Sequence, residues 1–339
     1  MTPKRRFLSG MFGGRVDRLP AGSVTSVVTK EQMQTTGCFF PEAHYDVKKM
    51  VKLAAAAHTI IGYDAILPYF SVWIEGAALL EGKELKGEMD WGTPTRMPVG
   101  HVEPWETPDQ VSIPDDDEFL QRTAPSALLE AISILRSQFP EVVIVGKVFG
   151  PWTLGYHVAG VENILINTRL DPDKIHGFVE ALKELPVIFG RAQVEAGIDV
   201  LIIGDHATGD LVSAECYRDF LLRAHQELVK KIGCPIVLHI CGDTLDRLGY
   251  ITQTGFDCFH FDSKVNAVSA KEVTRDKMSL MGNINNPQTL LYGTPEDVKR
   301  EAEYAAKAGV EILAPECAIP TNVPDENLKA IVQVAKQYP

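Results

Sequence analysis

Short runs of Val, Ile and Leu alternate with longer stretches in which apolar residues recur every three or four positions, and the alternation continues along nearly the whole chain. The short runs predict eight strands, over 22–28, 64–68, 142–148, 200–203, 236–239, 258–261, 279–282 and 312–314; short runs rich in β-branched and apolar residues suit strands of a buried parallel sheet. Helical spacing marks the segments between them, most clearly 125–139, 172–196, 213–232 and 295–308. Asp171 before Pro172, Ser213 before Glu215 and Thr294 before Pro295 signal helix starts, because a side-chain oxygen can take an orphan N–H of the first turn. Gly197, Gly233, Gly255 and Gly309 stand where helices end and a left-handed residue is needed. Strand, helix, glycine, strand repeated eight times builds right-handed βαβ units and predicts a (β/α)8 TIM barrel, although a doubly wound open sheet shares the local pattern. An N-terminal extension precedes the first strand. After the second, residues 82–117 are rich in Pro, Glu, Gly and Trp and lose the rhythm, which predicts a long excursion over one barrel mouth with room for a hairpin.

Length and composition narrow this picture. The 339 residues, 45% hydrophobic and 23% charged, suit one barrel domain spanning 1–339. The net charge of -12 argues against a nucleic-acid partner, since phosphate binding needs clustered Lys and Arg. Lys4, Arg5 and Arg6 are followed by an apolar stretch broken by Ser9, Gly10, Gly13 and Gly14, too short for a signal peptide. No run reaches the roughly 20 apolar residues of a membrane helix. Six cysteines in 339 residues are too sparse for a disulfide scaffold, so a reducing, cytoplasmic setting is expected.

In a barrel of this kind the chemistry sits just past the C-terminal ends of the strands. Those exits are loaded: Gly204, Asp205 and His206 after the fourth predicted strand, His239 and Cys241 at the fifth, Asp262 at the sixth, Asn283 and Asn285 at the seventh, Glu316 and Cys317 at the eighth. A His-x-Cys pair completed by a distant Cys can hold Zn²⁺ with three protein ligands and leave a fourth position open; core packing of the sulfurs is the competing reading. Asp262 fits a fourth, displaceable ligand, an acceptor that orients His239, or a helix cap. Asp205 fits an acid, a base or a partner for a cationic group, and with Asp262 makes up the candidate catalytic pair. Asn283 and Asn285 could donate to an anionic group or only satisfy a turn, and His206 stands beside them as a candidate for facing a bound cofactor or only as a partly exposed neighbour. Cys38, Cys216, Cys234 and Cys258 read as buried fillers.

These residues form a familiar set. Val16-Asp17-Arg18-Leu19-Pro20, Pro41-Glu42-Ala43-His44, Glu195-Ala196-Gly197 leading into Asp205, His239-Ile240-Cys241-Gly242, Gly282-Asn283-Ile284 and Ala314-Pro315-Glu316-Cys317 together resemble the methylcobamide:coenzyme M methyltransferases, the corrinoid-dependent branch of the uroporphyrinogen decarboxylase superfamily. His-Ile-Cys-Gly with the late Cys is the specific part. The resemblance implies a (β/α)8 barrel, zinc on His239, Cys241 and Cys317, and transfer of a methyl group from methylcobamide to a thiol, coenzyme M. It also implies a separate methylated corrinoid protein as donor, because no Asp-x-His-x-x-Gly segment of a cobalamin-binding domain occurs in the chain. Open beside it stand a related methyltransferase with another donor or acceptor such as tetrahydrofolate, a binding module with a closed structural zinc, and a decarboxylase-like enzyme. Decarboxylases hold porphyrinogen carboxylates with an N-terminal Arg-rich motif, and residues 29–37 contain no Arg.

Overall fold

The computed structural model describes all 339 residues. Nine strands form: β1 (Ala65–Ile66), β2 (Gly87–Asp90), β3 (Val99–Val102), β4 (Val143–Phe149), β5 (Val200–Gly204), β6 (Ile236–Ile240), β7 (Cys258–Phe261), β8 (Ser279–Ile284) and β9 (Ile312–Pro315). Seven of them make one parallel sheet in the order β1-β4-β5-β6-β7-β8-β9, and strands β4 to β9 are buried at every position. Helices in the crossovers cover the outside, so the α/β TIM-barrel architecture expected from the alternation is what the chain adopts.

The predicted first strand is a correction. Residues 22–28 form no ladder; Ala21 makes a single parallel bridge to Leu313. The cause is local: the Ser23 hydroxyl bonds the Thr25 hydroxyl at 2.9 Å and accepts from Thr25 N–H at 3.1 Å, a side-chain turn that competes with sheet pairing. The segment still closes the barrel. Gly22 N–H donates to Leu313 O and Leu313 N–H to Pro20 O, while Asp64 N–H donates to Ala21 O, so a few backbone bonds join β9 to the entry of β1.

Asp64 fixes that seam. Its buried carboxylate accepts Ala21 N–H at 3.0 Å, Arg6 at 2.8 Å and both terminal nitrogens of Arg18 at 3.0 Å. Asp64→Ala is expected to lower unfolding free energy by about 2–3 kcal/mol, since buried donors lose a charged acceptor while Arg6 retains Asp17. Urea unfolding monitored by tryptophan fluorescence measures this; a loss below about 0.5 kcal/mol would mean the seam does not depend on that carboxylate.

Two expected helices are subdivided. The 172–196 segment breaks into Pro172–Leu182 and Glu184–Ala196, because Pro186 has no N–H for Leu182 O and its ring crowds that carbonyl. The 213–232 segment contains a π turn at Tyr217–Leu221 before the regular Leu222–Ile232. Within 82–117, β2 and β3 pair as an antiparallel hairpin, Gly87 opposite Val102 and Asp90 opposite Val99. The excursion is anchored to elements leaving the C-terminal ends of β1 and β4: Gly100 lies so close to the Trp73 ring that a Cβ would meet it at 2.4 Å, and Trp105 N–H donates to Val158 O in the helix Pro151–Ala159. Of the cysteines expected to fill space, Cys38 and Cys258 are buried, whereas Cys216 on the rim and Cys234 in the loop before β6 are only half-buried; all six are free thiols. No helix is long and apolar enough to cross a membrane.

Candidate metal centre and active site

His239 is the penultimate residue of β6, in register with Gly204 of β5 and His260 of β7. Cys241 follows one residue beyond the strand. The chain then turns at Gly242 with φ +81°, where a Cβ would meet Asp210 and Thr208 oxygens at 2.3 Å, so glycine is required for the loop to fold back. Asp262, one residue past β7, accepts Gly242 N–H at 2.8 Å and Lys264 N–H at 2.9 Å, tying the Cys241 loop to the neighbouring strand exit. On the opposite side Glu316 N–H donates to Ile284 O. The Glu316 carboxylate accepts Asn286 N–H at 2.8 Å and Ser263 N–H at 3.0 Å, which stitches the exits of β7, β8 and β9 together and sets Cys317.

The result is a triangle. His239 Nε2 lies 3.0 Å from Cys241 Sγ and 3.3 Å from Cys317 Sγ, and the two sulfurs are 3.0 Å apart. On its far side the His239 ring places Nδ1 3.1 Å from His260 O; a proton held there leaves the Nε2 lone pair facing the sulfurs. His260 is itself fixed by Nε2–H donating to Pro315 O at 2.7 Å. The hydrogen bond to Cys317 and burial hold the Cys241 thiol well above its ordinary value, while accepting that bond, together with the neighbouring His239, pulls Cys317 well below.

This donor set fits Zn²⁺. Zn–S bonds near 2.3 Å and Zn–N bonds near 2.0 Å in a tetrahedron imply donor separations of roughly 3.5–3.8 Å, so the three atoms, now 3.0–3.3 Å apart, need to part by less than about 1 Å. Both sulfurs and the imidazole suit a borderline-soft cation. Three protein ligands from two strand exits would leave a zinc ion one position for an exchangeable group.

The other candidate residues fall into two groups. Asp205 does not reach the mouth with a free oxygen: Oδ1 accepts Thr153 N–H at 2.7 Å and Oδ2 pairs with His225 Nε2 at 2.9 Å, while His225 Nδ1 meets the Tyr217 hydroxyl at 2.9 Å. Asn283 donates to Val265 O at 3.0 Å, bracing the Asp262 loop. Asn285 donates to Ser263 Oγ at 2.9 Å and caps the next helical turn by accepting Gln288 N–H at 2.7 Å. His206 differs, since its half-buried ring makes no hydrogen bond within the chain and lies close enough to His239 and Cys317 to feel their charge; burial, then His239, lowers its pKa.

Sequence reasoning missed a buried group inside the barrel. The Lys147 ammonium of β4 sits 4.6 Å from the Phe149 ring centroid and 5.0 Å from that of Tyr69, and its one hydrogen bond is a long 3.4 Å contact to Ser71 O. Burial pushes its pKa down to about 8 against the opposing pull of Cys317, Glu75 and Cys241. Glu75 is already engaged by the Tyr69 hydroxyl and by Phe149 N–H at 2.9 Å. The readable signal was a single lysine in the otherwise apolar run of β4. His44, in the Pro41-Glu42-Ala43-His44 segment, stacks on Phe40 with centroids 4.3 Å apart, and burial lowers its pKa to about 3, so it is a neutral packing group.

Comparison with known proteins places this geometry. The sequence model described as uroporphyrinogen decarboxylase (URO-D) matches residues 2–338. A methylated-thiol:coenzyme M methyltransferase of Methanosarcina mazei is 36% identical over 100% of this chain and 90% of its own length. The methylcobamide:CoM methyltransferase MtaA of Methanosarcina barkeri is 34% identical over 99% and 98%. Among solved structures, a methyltransferase from Methanosarcina mazei superposes with a TM-score of 0.93 at 32% identity, covering 99% of both chains. The His-x-Cys and late-Cys exits thus sit in a barrel matched from end to end, and the chain belongs to the uroporphyrinogen decarboxylase family, on the branch of the methylcobamide:coenzyme M methyltransferases.

Proposed function

We propose that this protein transfers a methyl group from a methylated corrinoid to a small thiol, coenzyme M, with a zinc ion held by His239, Cys241 and Cys317. The observation that carries the proposal is the convergence of one Nε2 and two Sγ atoms within 3.0–3.3 Å of each other at the barrel mouth. The full-length relatives named for methylcobamide and coenzyme M support the donor and the acceptor.

Bound there, zinc would lower the pKa of the thiol from about 8.5 so that the acceptor is a thiolate at neutral pH. The chain's own residues do the rest. His239 and the two cysteines would hold the ion and leave one position for the thiol, and His260 O fixes the imidazole in the tautomer that presents Nε2. Asp262 and Glu316 are positioning residues: they tie down the loops that carry Cys241 and Cys317 and keep both sulfurs facing inward. Asp205 is likewise assigned a positioning role, since its N–H donates to His239 O and both its oxygens are engaged. Asn283 and Asn285 brace the floor of the loops, and His206 is the side chain free to face the incoming substrate. In the transfer, the thiolate sulfur forms a bond to the methyl carbon as the cobalt–carbon bond breaks, with both of its electrons staying on the leaving corrinoid. A separate corrinoid protein would present that methyl group over the mouth.

The test uses zinc-loaded protein with methylcobalamin and coenzyme M, following loss of the methylcobalamin spectrum and appearance of methylated thiol, alongside zinc X-ray absorption before and after thiol addition. Methyl-coenzyme M should form, and one zinc–sulfur scatterer should be gained. Transfer to tetrahydrofolate instead of thiol, or porphyrinogen decarboxylation without metal, would replace this proposal by one of the alternatives.

A further inference from the structure

Two lysines are buried in this protein, and they differ in one respect. Lys183 is paired with Glu180 and Glu227, each at 2.5 Å; Lys147 has no carboxylate partner at all. An ammonium carries three donors, yet Lys147 makes one long contact to Ser71 O and otherwise faces the rings of Tyr69 and Phe149. Its acidic neighbour Glu75 is turned to the Tyr69 hydroxyl and Phe149 N–H. A buried cation left so incompletely satisfied is costly unless a ligand completes it.

The position of Lys147 says which ligand. It is an inward-facing residue of β4, two before Phe149, and the charges it feels besides Glu75 are the sulfurs of Cys317 and Cys241. A dication bound by two thiolates and a neutral imidazole has no net charge, so the metal centre itself would not attract a second anionic group on the acceptor. Lys147, two residues inside the C-terminal end of β4, would supply that missing positive charge. His157 adds a second polar group: it stacks on Trp73, lies edge-on to Phe149 with centroids 5.5 Å apart, and its ring makes no hydrogen bond within the chain. We infer that Lys147 is the specificity residue that binds the anionic end of the acceptor, a sulfonate two carbons from the thiol, with the Tyr69 and Phe149 rings shielding its ammonium from water.

The inference rests on the thiol-acceptor reading above, and its test separates the two. The ratio of kcat/KM for 2-mercaptoethanesulfonate over neutral 2-mercaptoethanol is measured with zinc-loaded wild type, Lys147→Met and Lys147→Arg, together with calorimetric binding of thiol-free ethanesulfonate. A charge-assisted contact of ordinary strength is worth about 10- to 100-fold. Wild type is therefore expected to favour the sulfonate by at least that factor. Lys147→Met should lose it mainly through KM and should fail to bind ethanesulfonate, and Lys147→Arg should keep part of it. Equal use of charged and neutral thiols by wild type, or a Lys147→Met ratio within threefold of wild type, overturns the inference. Should Lys147→Met not fold, the wild-type ratio and the Arg variant decide. Should neither thiol be methylated, the methyltransfer reading fails, and ethanesulfonate binding to wild type still decides the role of Lys147.

Discussion

Replacing Cys317 by Ser is expected to abolish stoichiometric zinc binding and to lower methyl transfer to coenzyme M by at least about 10³-fold, beyond the 10–100-fold typical of outer-shell partners. A serine hydroxyl is not ionised at neutral pH and is a poor ligand for a borderline-soft cation, so His239 and Cys241 would be left as a two-donor site. Loss of the Cys317 sulfur also removes the partner that Cys241 and His239 each face at 3.0 Å and 3.3 Å. The effect belongs to the site and not to the fold, because Glu316 makes the hydrogen bonds that hold this strand exit. Zinc content by plasma mass spectrometry, the methylcobalamin assay and circular dichroism on the same preparation check all three points. Cys234→Ser, a half-buried thiol in the loop before β6, is the control expected to leave zinc and rate intact. Full zinc occupancy and wild-type turnover in Cys317→Ser would sink the three-ligand site.

The exits of the strands were legible because a barrel converts sequence position into spatial position: any residue one or two beyond a buried apolar run lies on the same mouth. That rule alone brings His239, Cys241, Asp262, Asn283 and Cys317 together from segments up to 78 residues apart. What it does not convey is where each side chain's hydrogen bonds go. Asp205 looks like an acid or base in the sequence, yet Thr153 and His225 take both of its oxygens, and neither partner is near it in the chain. Asn283 likewise spends its amide on the Val265 carbonyl, and Asn285 on the Ser263 hydroxyl and a helical cap. Residues 22–28 read as a strand by composition, and the bonds between Ser23 and Thr25 turn them out of the ladder. Lys147 was overlooked for the opposite reason: attention to strand ends passes over a charged residue in the middle of one.

Breaking the Asp205–His225 pair is expected to be the largest single loss of stability outside the metal centre. Both side chains are fully buried and 2.9 Å apart. Burial holds the Tyr217 hydroxyl well above its ordinary value, so it stays protonated and donates to His225 Nδ1; Nε2–H then donates to Asp205, whose second oxygen takes Thr153 N–H. The chain of donors runs one way and gives each carboxylate oxygen one partner. His225→Leu strands a buried carboxylate with one neutral donor, and Asp205→Ala strands His225 Nε2–H and Thr153 N–H while opening space beside Gly150, where a Cβ would now meet Asp205 Oδ2 at 2.3 Å. Each change is expected to cost about 3–5 kcal/mol. Asp205→Asn should cost less, because its amide oxygen still accepts Thr153 N–H and its NH2 can donate to the other tautomer of His225. Urea or thermal unfolding of the three variants gives the order directly. Asp205→Ala within about 1 kcal/mol of wild type would show that the network does not hold the β5 exit, and would return Asp205 to consideration as a group that acts on substrate.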